Sequence, residues 1–152
     1  MKVSMLLPLA ALAIFTLNSC KKETNTDIDQ YQYYEVGFRS NIADWRDTAF
    51  VVRTSDQQLI QQINAQLLLP ANERKLVAGA LAEGNGGYNK NGSHEFKWHL
   101  KEDDWQLADV TIEIYDGRPY TDVDVNFPYW LNTVKRFGSW GSYIKRKLPG
   151  KP

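Results

Sequence analysis

Ala49-Phe50-Val51-Val52-Arg53-Thr54 runs directly into Ser55-Asp56-Gln57-Gln58-Leu59-Ile60-Gln61-Gln62-Ile63-Asn64-Ala65-Gln66-Leu67-Leu68-Leu69-Pro70, and this stretch decides the fold. Its first six residues are dominated by aromatic and β-branched side chains, the composition of a buried strand. At Ser55 the period changes. Ser55-x-x-Gln58 has the form of a capping box, and Leu59, Ile60, Ile63 and Leu67 repeat at helical spacing while Gln57, Gln61, Gln62 and Asn64 fall largely outside that stripe. Pro70 stops the segment. A strand followed by one amphipathic helix is thus expected over residues 49–69.

No other segment shows so clear a helical period. Before it, Tyr31, Tyr33, Tyr34 and Glu35-Val36-Gly37-Phe38 have strand composition. After it, Lys75 to Glu83 reads as a strand because Gly79 disfavours a helix interior, although its alanines suit a helix. Three glycines and three asparagines between Asn85 and Ser93 predict a loop. Phe96, Trp98 and Leu100 alternate with Lys97 and His99 as a half-buried strand does. Lys101-Glu102-Asp103-Asp104 reads as a turn. The alternation Ala108, Val110, Ile112, Ile114 then predicts a strand ended by Asp116-Gly117-Arg118-Pro119. A short helix within 128–137 and an edge strand within 139–147 complete the reading. Without regular strand–helix alternation a parallel doubly wound sheet is not expected. The sequence predicts an α+β fold, an antiparallel sheet with one main amphipathic helix packed across one face. The helix stripe would bury against Phe96, Trp98, Val110, Ile112 and Ile114.

The amino terminus carries a separate message. Met1-Lys2 precedes an apolar run from Met5 to Leu17, too short to span a bilayer as a helix and of signal-peptide length. The chain's single cysteine, Cys20, follows at Leu17-Asn18-Ser19-Cys20, the shape of a bacterial lipoprotein signal in which that cysteine is lipidated. The organisation expected is a signal peptide at 1–19, a lipidated flexible tether at 20–30 and one globular domain at 31–148. The address expected is the bacterial cell envelope, either the outer membrane or the cell surface, with membrane attachment through the lipid. An apolar content of 43% with five tryptophans argues for a packed core. The formal charge is zero, and the basic residues Lys135-Arg136 and Lys145-Arg146-Lys147 make a short tail, so no nucleic-acid partner is expected.

Residues with catalytic potential are sparse. His94 and His99 are five apart, an odd spacing that puts them on opposite faces of a strand and precludes a shared metal. Asp122, Asp124 and Asn126 spell the opening of a calcium loop, but Phe127 stands where its glycine belongs and Thr133 where its bidentate glutamate belongs. A loop cation site of another type, built from Asp116, Asp122 and Asp124, is the metal candidate. Gly138-Ser139-Trp140-Gly141 lacks the order of a nucleophile elbow. No catalytic residue and no cofactor are assigned. The loop aromatics Tyr88, Trp130 and Trp140 are candidate ligand contacts, because exposed aromatic rings serve as sugar platforms or protein anchors.

Tyr88-Asn89, Phe96-Lys97-Trp98-His99-Leu100, Ile112-Glu113-Ile114-Tyr115-Asp116-Gly117 and Trp140-Gly141-Ser142, in that order and spacing, resemble a family of small secreted bacterial proteins catalogued as calmodulin-binding proteins. Its domain also forms the amino-terminal part of an amoebal calmodulin-binding protein. The resemblance runs from about Phe50 to Tyr143. It implies a binding domain without enzymatic activity. Tyr115 and Gly138 occupy the places of two family cysteines, so the disulfide the family implies is missing here as a pair. Calmodulin itself does not suit a bacterial surface lipoprotein, and Gly138, Gly141 and Pro149 spoil the tail 134–148 as a calmodulin-target helix. The expected function is a lipid-anchored, non-enzymatic envelope recognition domain for a protein, peptide or glycan, contacting it through loop 84–93 and segment 127–143. The alternatives are a calcium- or other cation-dependent binding module and a small envelope hydrolase working through His99 or Glu113.

Overall fold

The structure is a computed structural model that describes residues 30–39, 41–111 and 116–152. The expected signal segment, Cys20 and nearly all of the expected tether lie outside the described residues, as do Ile112, Glu113, Ile114 and Tyr115. Among the described residues no helix is long and apolar enough to cross a membrane.

The chain forms strands β1 (Gln32–Phe38) and β2 (Ala49–Thr54), helix α1 (Gln57–Leu67), strands β3 (Leu76–Glu83), β4 (Lys90–Asn91), β5 (His94–Glu95) and β6 (Trp98–Ala108), a single helical turn α2 (Phe127–Tyr129), and strands β7 (Arg136–Phe137) and β8 (Ser142–Lys147). Pro119–Asp124 and Trp130–Val134 are wide π-helical turns on either side of α2. The fold is α+β in the broad sense and mostly antiparallel sheet. Instead of one sheet, the described residues form two of three strands, ordered β2-β1-β8 and β6-β3-β7, with β4-β5 as a small ribbon.

Helix α1 begins one residue later than the capping box suggests. Asp56, not Ser55, is the N-cap, its carboxylate accepting hydrogen bonds from the Gln58 and Leu59 amides. Leu59, Ile60 and Ile63 of the helix are buried, and it touches β6 of one sheet and β8 of the other.

Two expectations fail for one reason, the position of hydrogen-bonding partners. Lys101–Asp104 is a bulge inside β6 and not a turn. The ladder pairs Gly79 with Trp105 and Leu81 with Leu100, so the extra residues loop out while β6 continues. The acidic run projects outward, where Glu102 pairs with Arg53 at 2.7 Å and Asp104 with Arg136 at 2.9 Å. Gly79 sits opposite, and a β-carbon there would lie 2.4 Å from that of Trp105, so the bulge requires glycine. The strand expected from Ala108 onward is absent over 109–111. The last pair of the ladder is Leu76 with Ala108, and beyond it Val110 is 78% exposed and cannot pack against α1.

One core fills the space between the sheets, with Tyr34, Val36, Phe50, Val52, Val77, Trp98, Leu100, Phe137 and Ile144 all buried. Phe50 lies at the centre, its ring 5.1 Å from Trp98 and 5.0 Å from Phe137. The sheets are joined along both seams by side chains. On one seam the Ser142 hydroxyl meets the Val77 amide at 3.2 Å, linking β8 to β3. On the other, fully buried Asn89 accepts from the Val51 amide at 2.9 Å and donates to the Trp98 carbonyl at 2.8 Å. Beside it Tyr88 donates to the Leu100 carbonyl at 3.1 Å and Trp105 donates to the Arg53 carbonyl at 2.9 Å. Side chains thus satisfy the outward-facing edges of β2 and β6 where a further strand would otherwise stand.

Replacing Asn89 with Leu would leave the Val51 N–H and the Trp98 carbonyl buried without partners. The expected loss is about 2–5 kcal/mol of folding stability. Urea unfolding followed by tryptophan fluorescence should show a lower midpoint at unchanged slope.

Candidate functional site

The turn Asp116-Gly117-Arg118-Pro119 is built against the start of the last loop. Gly117 adopts φ 63°, and a β-carbon there would come within 2.8 Å of the Ser139 β-carbon. Buried Ser139 donates its hydroxyl to the Asp116 carbonyl at 2.8 Å. Asp122 receives the Arg118 amide at 2.9 Å, and Asp47, itself buried, accepts from the Tyr120 and Thr121 amides. These bonds fix the backbone of Arg118 while its side chain remains partly exposed.

Between this turn and the end of β1 lies a cleft of about 370 Å³ lined by Phe38, Arg39, Asp116, Arg118, Ser139, Trp140 and Gly141. That is the size range of small-molecule sites. Trp140 is 58% exposed, and its indole N–H donates to the Thr111 carbonyl at 2.7 Å, which holds the ring by its edge and leaves it open to solvent. Arg39 donates to the Ala71, Trp140 and Arg74 carbonyls. Arg74 in turn donates to the Leu67, Leu69, Ile144 and Lys145 carbonyls. Neither arginine is in an ion pair among the described residues, nor is Arg118. Arg118 differs in that its Nη1 is buried and has no hydrogen-bond partner at all. An unsatisfied donor on a charged group disfavours the empty site by about 1–3 kcal/mol.

The aromatic candidates do not converge. Tyr88 is 1% exposed, an edge-sealing core residue whose phenol is pushed up from its ordinary pKa by burial. Its ring is not presented to a ligand. Trp130 is 4% exposed and packs in the main core beside a separate cleft of about 350 Å³ formed with Asp122, Asn126 and Tyr129. Of the three, Trp140 alone presents its ring to solvent. Cys20 lies outside the described residues.

The acidic candidates are likewise dispersed in role. Asp116 is exposed at the cleft rim and Asp122 holds the Arg118 amide. Asp124, 1% exposed, takes the Lys97 amide at 2.6 Å. Among the described residues no three His, Cys, Asp or Glu side chains are grouped to hold a metal ion. His94 packs edge-on between Phe96 and Tyr120, with its Nε2 3.3 Å from Asp124 but without a hydrogen bond. His99 binds the Gly84 carbonyl through Nδ1 at 2.6 Å. Neither histidine has a serine or cysteine hydrogen-bonded to it among the described residues. Glu113 lies outside those residues.

Arg39 and Arg118 escape the sequence reading. Gly117-Arg118-Pro119 registers there only as a strand terminator, and nothing in its composition signals an arginine left without a counter-charge. Phe38 reads as a strand residue, but its place beside Trp140 follows from the long-range pairing of β1 with β8, in which Phe38 faces Ser142.

The chain belongs to the family described as the N-terminal domain of calmodulin-binding protein 74, whose model matches residues 34–151. The match covers most of the chain and extends at both ends beyond the motifs that suggested it. No curated protein and no solved structure matches the chain. Of the two family cysteine positions, Tyr115 is outside the described residues, and Gly138 lies against Thr111, whose hydroxyl donates to its carbonyl at 2.7 Å.

Two outcomes are expected. Asp44 is held at about 2, below its ordinary 3.8, chiefly by the Arg46 side chain and also by the Arg46 amide. A carboxyl depressed on folding stabilises fully above the ordinary carboxylate range, and the contribution is lost as pH falls through about 2. Asp44→Asn should therefore lower the melting temperature somewhat at neutral pH and flatten its fall between about pH 4 and 2, where the wild type loses the same contribution. Millimolar calcium should leave the melting temperature of the wild type unchanged, because the Asp122 and Asp124 carboxylates are already occupied by backbone amides. A rise abolished by Asp122→Ala with Asp124→Ala would reverse that conclusion.

Proposed function

We propose that this protein is a non-enzymatic recognition domain, carried on the bacterial envelope by a lipid on Cys20, that binds its partner at the cleft beside Trp140. The observation that supports this reading is Trp140 itself: a tryptophan 58% exposed, fixed by a hydrogen bond and bordered by Arg118, which forms no ion pair among the described residues. Fixed exposed indoles are favourable contact surfaces because binding orders little that is not already ordered. In this reading α1 is an amphipathic lid on the core and takes no part in binding, and loop 84–93 serves the seam through Asn89. The contact surface narrows from the whole segment 127–143 to Trp140 and the turn 116–118.

The family name mentions calmodulin, but we do not extend that partner to this chain. Its basic tail is strand β8, paired with β1 from Phe38–Ser142 to Tyr34–Lys147, and so is not offered as a free helix. Nucleic acid is likewise no part of the proposal, given the zero formal charge.

Binding of the full-length protein to isolated envelope polysaccharide, measured by calorimetry, should weaken at least about tenfold in Trp140→Ala, with the melting temperature nearly unchanged. Trp130→Ala should instead lower the melting temperature, since that ring is core. Binding indifferent to Trp140→Ala would remove the cleft from consideration.

A further inference from the structure

We propose that the cleft takes a sugar acid, with the carboxylate on the Arg118 guanidinium and the sugar ring on the face of Trp140; this rests on the cleft being the binding surface. Three observations converge. Among the described residues the Arg118 side chain forms no ion pair and no hydrogen bond, and its Nη1 is withdrawn from water and unmatched. Arg118 lines the cleft, and turning its terminal torsions breaks no side-chain bond to a described residue, so its planar fork is free to offer a carboxylate two parallel N–H groups. Arg39 and Arg74 stand close by, joined through the Arg74 carbonyl, and among the described residues their charges meet carbonyl dipoles and the Tyr143 ring but no carboxylate within ion-pair distance. The cleft therefore favours an anion.

Asp116 decides which anion. It lines the same cleft and makes no ion pair among the described residues. A carboxylate repels a doubly charged phosphate more than a singly charged acid, yet it accepts hydrogen bonds from hydroxyl groups well. A ligand carrying one carboxylate and several hydroxyls satisfies Arg118 and Asp116 together. The exposed Trp140 face supplies the apolar contact that the C–H side of a pyranose ring needs. The cleft of about 370 Å³ has room for one such ring and opens to solvent for the rest of the chain. An acidic peptide would supply the carboxylate but no ring hydroxyls for Asp116.

The test titrates the full-length protein with trigalacturonate, with its methyl ester, with inorganic phosphate and with a short glutamate peptide, following tryptophan fluorescence and heat. The acid should bind at least about tenfold more tightly than the ester. Arg118→Lys should reduce acid binding by about ten- to a hundredfold while leaving ester binding unchanged. Raising the salt from about 0.01 to about 0.15 M, which shortens the screening length from about 30 to about 8 Å, should weaken the acid alone; this holds the proposal to account should Arg118→Lys lower the melting temperature. Trp140→Ala should weaken acid and ester alike. If Trp140→Ala weakens both sugars but acid and ester bind equally, or Arg118→Lys is silent, the acid assignment falls and the cleft stands. If Trp140→Ala is silent, the cleft falls with it. Phosphate or the peptide binding in place of the sugar, or no binding of the acid at millimolar concentration, overturns the proposal.

Discussion

The buried amide of Asn89 is the constraint on which the rest of the structure depends. It closes the gap between β2 and β6 by offering an acceptor to one strand edge and a donor to the other, as a peptide group in a neighbouring strand would. A carboxamide carries a donor and an acceptor side by side on one uncharged group. Its own backbone is committed as well, the amide to the Asn85 carbonyl and the carbonyl to the Phe96 amide. The two sheets therefore reach each other at a fixed separation, and the core between them can be filled by large rings in one arrangement. Tyr88 and Trp105 extend the same seam, so three polar handles on buried side chains replace a missing ladder.

Much of this is legible in the sequence, and what is not has a common cause. Strand β2 reads over its full length, because a β-branched run beside a helix start is a local signal. Lys75–Glu83 reads correctly as a strand from Gly79, although the true reason for that glycine, the approach of the Trp105 β-carbon, is not visible along the chain. The reading fails at Lys101–Asp104 and at Asp109–Thr111, where composition and alternation point one way and the reach of β3 the other. Whether an acidic run turns or bulges depends on a partner more than twenty positions distant. The division into two sheets is hidden for the same reason, since it is set by β1 pairing with β8 across the whole chain.

The site is less legible than the fold. The exposure of Trp140 follows from its glycine and serine neighbours, whereas Tyr88 and Trp130 are drawn into cores by contacts no local pattern announces. Arg118 is the clearest instance. An arginine matters here for what does not surround it, and a sequence lists neighbours along the chain without showing which charges are missing around a side chain. The family motif Tyr88-Asn89 likewise proves to be architecture, the seam of the two sheets, and gives no direct account of binding.

The charged bulge of β6 has a consequence for molecules crowded side by side. A strand paired on one edge only is a template for the strand of a neighbouring copy. Over Lys101–Asp104 that template is interrupted: the backbone leaves the register, and two carboxylates stand outward on salt bridges to Arg53 and Arg136. A second chain attempting to continue the sheet would meet a mismatched ladder and a like-charged bulge of its own. The same four residues that mislead the sequence reading thus interrupt the ladder that a further strand on this edge would need.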